Sequence, residues 1–266
     1  MSVSDKIRKV TSPLSKVMNK LSGNDKDSRF CSGIVLAAGS GTRMGGVSKQ
    51  LMEIAGHPVL AYSLEAFQKS EYTNEIIVVA KQDELDFIKE FVEAYGFTKV
   101  TKVVPGGSTR MESSQNGFFA VSEECEFAAI HDAARPLILP ETIDLLFRRA
   151  YITGACAAAK KVADTIKSAG KLNVIESTIP RDKLYAVSTP QVFSANIYRA
   201  SVASVKKDGI EVTDDCAMAE HAGFPVTLVE IGHPNYKLTV PEDIEAVEAL
   251  LMHRNGMFSK KEDDLG

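Results

Sequence analysis

The chain has 266 residues, 44% of them apolar and 25% charged, and carries a formal net charge of −4. That balance suits a globular protein with a real core, in one large or two small domains, and excludes a global basic field for gathering nucleic acid or anionic lipid. An anionic small molecule would therefore need a local cluster of cations. Cys31, Cys125, Cys156 and Cys216 show no CxxC spacing and no companion histidines, which speaks for reduced, buried thiols in the cytoplasm rather than a zinc site or a disulfide framework. No run reaches the roughly 18 apolar residues of a membrane helix, and the N-terminus lacks the apolar core of a secretion signal. Neither stable membrane insertion nor export is expected.

Residues 1–30 read as an extension, with seven Lys/Arg against three Asp. Val3, Ile7, Val10, Leu14, Val17 and Leu21 recur at spacings of four and three, one face of a helix, but Pro13 interrupts them. Short helices or a flexible segment are expected there. From Ser32 onward strand and helix alternate. β-rich runs at Gly33–Ala37, Glu75–Ala80, Lys99–Val104, Ala128–His131 and Ala155–Ala159 are separated by helical patterns at Pro58–Lys69, Asp83–Tyr95, Thr109–Val121 and Pro140–Thr153. That rhythm predicts a Rossmann-like α/β fold, a mostly parallel sheet with helices on both faces, in one domain over residues 31–254. Residues of about 160–182 break the rhythm, with weak strands near Asp164–Lys167 and Asn173–Ser177. Such a polar excursion reads as a protruding β-arm for dimerisation. Strands at Tyr185–Ser188 and Pro225–Val229, a helix after Thr213-Asp214-Asp215, a closing helix at Pro241–Met252 and a polar tail at 255–266 complete the prediction.

In such a sheet ligands bind beyond the carboxyl ends of the strands. There the sequence places Ala37-Ala38-Gly39-Ser40-Gly41-Thr42-Arg43-Met44, followed by Lys49-Gln50. Small residues let the backbone approach a phosphate chain and turn its N–H groups into donors. A dinucleotide fingerprint needs Gly at Met44, and a P-loop needs Lys-Ser/Thr after Gly46; both templates fail. What remains is a glycine turn flanked by a guanidinium and an ammonium. His131-Asp132-Ala133-Ala134-Arg135-Pro136 follows an apolar strand, so Asp132 is placed to hold Mg²⁺ against phosphates, while His131, with no partner in view, reads as structural. Gly106-Gly107-Ser108-Thr109-Arg110 precedes a helix, with Arg110 and Ser114 expected to face the pocket and Ser108 suited to cap that helix. Thr189-Pro190-Gln191, Thr213-Asp214 and Asn235-Tyr236-Lys237 add hydroxyls and a further cation. No Ser-His-Asp triad or activated cysteine is apparent, so positioning and charge neutralisation are left as the chemistry.

These motifs, in this order from about Ser32 to His253, resemble those of the 2-C-methyl-D-erythritol 4-phosphate cytidylyltransferases of the non-mevalonate isoprenoid pathway. The resemblance implies a fold of the nucleotide-diphospho-sugar transferase type and a Mg²⁺-dependent transfer from CTP to a small polyol phosphate. It implies catalytic roles for Arg43, Lys49, Asp132 and Lys237. It puts Ala37, Ala38, Gly39, Gly41, Gly107, Arg110 and Ser114 around the nucleotide, and Arg135, Thr189 and Thr213 around the polyol phosphate. Asp164, Thr165 and Arg181 would reach that second site from the arm of a partner, making a homodimer the working unit. The chain departs from the pattern at Pro234, where relatives often have an acidic residue, and at Tyr236, where Ile is usual. Enzymes acting on ribitol 5-phosphate are the near alternative; Ala134, where those tend to have Val, favours methylerythritol phosphate. A nicotinamide oxidoreductase, which would want Gly at 44 and an acidic residue where Lys81 stands, and an inactive nucleotide-binding protein are the distant ones.

Overall fold

The computed structural model describes residues 29–39 and 49–254. The heptad-like pattern before Arg29, loop positions Gly41 and Arg43, and the tail from 255 lie outside the described residues.

In chain order the elements are β1 (Phe30–Leu36), β2 (Glu53–Ile54), β3 (His57–Pro58), α1 (Val59–Lys69), β4 (Glu75–Ala80), α2 (Leu85–Ala94), β5 (Val100–Pro105), α3 (Arg110–Phe119), β6 (Cys125–Asp132), α4 (Pro140–Thr153) and β7 (Ala155–Lys161). They continue with β8 (Ile166–Ala169), β9 (Ile175–Ile179), β10 (Tyr185–Ser194), α5 (Ala195–Asp208), α6 (Asp215–His221), β11 (Thr227–Glu230) and α7 (Glu242–Arg254). Seven strands form one sheet in the order β11-β7-β10-β6-β1-β4-β5. Every neighbour pair is parallel except those of β10, which runs antiparallel to β6 and to β7.

The central strands are apolar on both faces because both faces are covered. The period of two divides their side chains. Val35, Val78 and Ala129 join one core with Leu64 and Phe67 of α1, Ile88 of α2 and Phe147 of α4. Ile34, Val79, Ala128 and Ile130 join a second core with Phe118 of α3, Tyr198 of α5 and Met218 of α6. A third, smaller core places Val247 and Leu251 of α7 with Ile54 and Val59.

Phe67 is fully buried, and a Cβ on Gly33 would stand 2.5 Å from its ring, so a glycine in mid-strand is what admits the aromatic. Phe67→Ala should lower unfolding stability by about 3–5 kcal/mol, the usual cost of emptying a large buried site. A chemical denaturation curve checks this; a loss under about 1 kcal/mol would mean that the sheet closes over the gap.

Several predicted boundaries move. β1 begins at Phe30, inside the span read as extension, and α7 at Glu242 rather than Pro241. β10 runs ten residues instead of four, and α5, for which no element was expected, follows it directly. Its signals are plain in retrospect: Ser194 accepts from the Ile197 N–H as cap, and Gly209 closes the helix at φ 65°. The excursion does form an arm, the two-stranded β8–β9 hairpin, with Leu172 95% exposed at its tip and Val174 and Ile175 also exposed. Because β7 is parallel to β6's direction and β10 is reversed, the arm leaves and rejoins the sheet at the end where β6 terminates. No helix among the described residues is long and apolar enough to cross a membrane.

Candidate active site

Leu36 and Asp132 are register partners at the ends of β1 and β6. On one side of β1 the sheet continues to β4 and β5, on the other to β6. The loops leaving these two strands therefore part, and a crevice opens at this switch point. Among the described residues it has a volume of about 380 Å³ and is lined by Ala38, Gly39, Lys49, Gly107, Arg110, Asp132 and Lys237, with Ser113 and Ala134. Seven of the predicted site residues, from five separate stretches of chain, thus share one cleft.

Asp132 is its electrostatic centre. Lys237 Nζ lies 2.7 Å from Oδ2, Arg110 Nε 3.2 Å from Oδ1, and Arg135 Nε 3.8 Å from Oδ2. Burial opposes ionisation of Asp132, yet Arg110, Lys237 and Arg135 outweigh it and hold the carboxyl well below the ordinary range. Burial also works against charge on Arg110, and here Asp215 and Asp132 overcome it, so its proton is held more tightly than usual. Lys237 arrives on the C-terminal segment, which is laid against the loop following β6 by the Leu238 N–H bond to the Ala134 carbonyl at 2.8 Å. Lys49 Nζ donates to the Leu238 carbonyl at 3.0 Å, tying the first motif to the last.

The opposite wall is the turn before α3. A Cβ on Gly106 would meet Ala38 Cβ at 2.5 Å, and one on Gly107 would collide with Glu112, so only glycine lets this turn close onto β1. Gly106 N–H donates to the Ala80 carbonyl, Gly107 N–H to Ser113 Oγ and Ser108 N–H to Glu112 Oε2. The N–H groups of this turn are thus spent on β4 and on the first turn of α3.

The sequence profile of the 2-C-methyl-D-erythritol 4-phosphate cytidylyltransferase family matches residues 31–253. The chain belongs to that family. A cytidylyltransferase of this name from Caldanaerobacter subterraneus subsp. tengcongensis is 40% identical over 222 residues, 83% of this chain and 98% of the relative. One from Dehalococcoides mccartyi is 38% identical over 218 residues, 82% of this chain and 94% of its own. Among solved structures, the 4-diphosphocytidyl-2C-methyl-D-erythritol synthase of Anaerococcus prevotii superposes with a TM-score of 0.75 at 29% identity, covering 85% of this chain and all of that one. The Thermus thermophilus cytidylyltransferase gives 0.67 at 25% identity, with 82% and 97% covered.

Within this family member, other predicted residues stand behind the cleft. Ser114 does not face it: the side chain is fully buried, bonded to Asp215 Oδ1 at 2.5 Å and to Tyr198 at 2.6 Å. Its neighbour Ser113 lines the cleft instead, because Thr109, not Ser108, caps α3 and sets the phase of the helix. Ala37 is buried, its N–H bonded to the Val79 carbonyl. Thr189 lies beneath Asp132, its hydroxyl accepting from the Asp132 N–H at 3.0 Å. Arg135 donates to the Asn235 carbonyl at 2.8 Å and leaves its buried Nε without a hydrogen bond. Thr213 is exposed just before α6, which Asp214 caps. Asp164, Thr165 and Arg181 are exposed on the arm and do not line the cleft of their own chain; Arg181 bonds the Ala163 carbonyl. Asp215, which the sequence left without a role, is buried beside Arg110.

His131 is fully buried under the site, its ring between Thr189 Oγ1 at 3.2 Å and the Arg135 carbonyl at 3.3 Å. Burial pulls its pKa down from 6.5 to about 3. The unfolded chain therefore takes up a proton that the folded one refuses. Stability from this source is complete above about pH 6.5 and is lost as pH falls toward about 3. Melting temperatures between pH 7 and pH 4 should drop less steeply in His131→Gln than in the parent; parallel slopes would remove His131 from the account.

Proposed function

We propose that this cleft joins the cytidylyl group of CTP to 2-C-methyl-D-erythritol 4-phosphate and releases pyrophosphate. A phosphate oxygen of the polyol attacks the α-phosphorus in line. The new P–O bond forms as the bond to the β-phosphate bridging oxygen breaks, and that electron pair leaves with pyrophosphate. No enzyme-bound intermediate is needed, so the protein's part is alignment and neutralisation of charge.

The observation that carries this reading is the gathering of Lys49, Arg110 and Lys237 in one cleft with the strand-end carboxylate of Asp132, in a chain whose overall charge is negative. Lys49 and Lys237 line the cleft where the phosphates would pass; the family resemblance gives Arg43, which lies outside the described residues, the same chemical role. With its own N–H engaged by Ser113, Gly107 on the cleft wall has only its carbonyl to offer a base, which favours one that carries an amino group. Cytosine does; uracil presents an oxygen at that edge and would face acceptor against acceptor. Arg135, with an unsatisfied buried Nε, is suited to the phosphate of the polyol together with Thr213.

Among the described residues no cluster of three metal-ligating side chains exists. A single strand-end carboxylate nevertheless fits Mg²⁺, which is commonly held by one or two carboxylates plus the substrate's own phosphates. Asp132 would hold it, and the ion would draw charge from the triphosphate oxygens.

The working unit is a homodimer. The arm's exposed Leu172, Val174 and Ile175 offer apolar surface that a second copy can cover, and Asp164, Thr165 and Arg181 then serve the polyol phosphate across the interface. Four buried thiols, with Cys31 and Cys156 pushed up to about 12 by burial, support a cytoplasmic setting.

Pyrophosphate release is measured with CTP and Mg²⁺ and either methylerythritol phosphate or ribitol 5-phosphate. Faster turnover of the ribitol ester, or equal use of UTP, would overturn the proposed substrates.

A further inference from the structure

Behind the cleft, Asp215 is 2% exposed and belongs to neither substrate wall. Its Oδ1 accepts from Ser114 Oγ at 2.5 Å and Tyr198 OH at 3.0 Å, and its Oδ2 accepts from Arg110 NH1 at 2.8 Å. Its backbone N–H is bonded to Gln191 Oε1 at 3.1 Å, which anchors it to β10. Arg110 turns its other edge to the cleft, where Nε meets Asp132 at 3.2 Å. The charges alternate in one line: Asp215, Arg110, Asp132, Lys237. A buried carboxylate is a poor way to hold two helices together, since an apolar pair of similar volume does so at least as well. A planar guanidinium pinned from behind, however, can present one N–H in a fixed direction.

We infer that Asp215 is a positioning residue for cytidylyl transfer, acting through Arg110 to hold the Asp132 carboxylate where the reaction needs it. The inference rests on the transferase reading above and adds a residue that touches neither substrate. It also ties the start of α3 to the start of α6 behind the cleft through one ionic tether.

The test uses the full-length chain. Asp215→Asn keeps the shape and can still accept from Ser114 and Tyr198, but loses the charge facing Arg110. It should lower kcat by roughly 10- to 100-fold while the KM for each substrate moves less than about threefold. Tyr198→Phe, which removes one hydrogen bond to Asp215 and leaves the charge, should keep kcat within about threefold. In an Arg110→Gln background, Asp215→Asn should cost under about threefold more, because the tether is already cut. The Arg110 Nε–H resonance should exchange slowly with water in the parent and rapidly in Asp215→Asn. Unchanged kcat in Asp215→Asn, the same fold loss in both backgrounds, or equal losses in Tyr198→Phe would each overturn the inference. A parent chain that releases no pyrophosphate counts against the transferase reading alone, because the Arg110 signal reports the tether whether or not turnover occurs.

Discussion

Asp132→Asn should reduce kcat by about 10³, the upper range for removing one preorganised electrostatic group, while the folded chain persists. The substitution keeps the side chain's size and erases the charge on which Lys237, Arg110 and Arg135 converge. Two consequences follow from that geometry. Lys237 loses its 2.7 Å partner and is no longer aimed, and the ligand expected to carry Mg²⁺ becomes a neutral amide. Arg110 keeps Asp215 at 2.8 Å, so the wall around the base stays in place and the KM for CTP should change much less than kcat. Steady-state pyrophosphate release over a Mg²⁺ series checks this. Activity within about fivefold of the parent, at the same Mg²⁺ dependence, would strip Asp132 of its role.

Arg181→Ala, tested with Asp132→Asn, should show whether the arm works across an interface. Alone, Arg181→Ala should raise the KM for the polyol phosphate far more than that for CTP, because Arg181 does not line the nucleotide cleft of its own chain. When the two impaired variants are mixed and allowed to exchange subunits, heterodimers form. Each then has one site whose core comes from the Arg181→Ala chain and whose arm comes from the Asp132→Asn chain, and that site is intact. Random exchange predicts recovery of about a quarter of the parent's sites. No recovery, despite exchange confirmed with differently tagged chains, would place the arm's contribution within one chain or nowhere.

The part of this site that could be read from the sequence is the part whose chemistry is local. A glycine turn, a strand-end aspartate and a cation after Asn235 are each written in a few consecutive residues, and the rule that ligands gather at strand carboxyl ends assembles them. Long-range partnership is not written that way. Asp215 pairs with a guanidinium 105 positions earlier in the chain, and nothing beside Asp215 announces it. The exchange of Ser113 for Ser114 has a different origin. Adjacent residues on a helix point about 100° apart, so an error of one position in the cap turns a side chain from cleft to core. Whether Ser108 or Thr109 begins α3 is decided by a hydrogen bond from the Glu112 N–H, and both residues suit the position. α5 was missed because strand and helix meet without a loop, Ser194 ending β10 and capping α5 at once.

One reversed strand has an outcome that reaches beyond the sheet. Were β10 parallel like its neighbours, the hairpin it shares with β7 would have to cross the whole molecule before rejoining it. Reversed, it roots the hairpin on the rim of the cleft and then runs directly under Asp132, with Thr189 at that crossing and Gln191 gripping α6 two steps later. The arm with its exposed apolar tip and the cation-lined cleft are thereby crowded onto a single pole of the molecule. The far pole, where Glu75 is bonded by Ser32, Thr101 and the Ser122 N–H, is left to masonry.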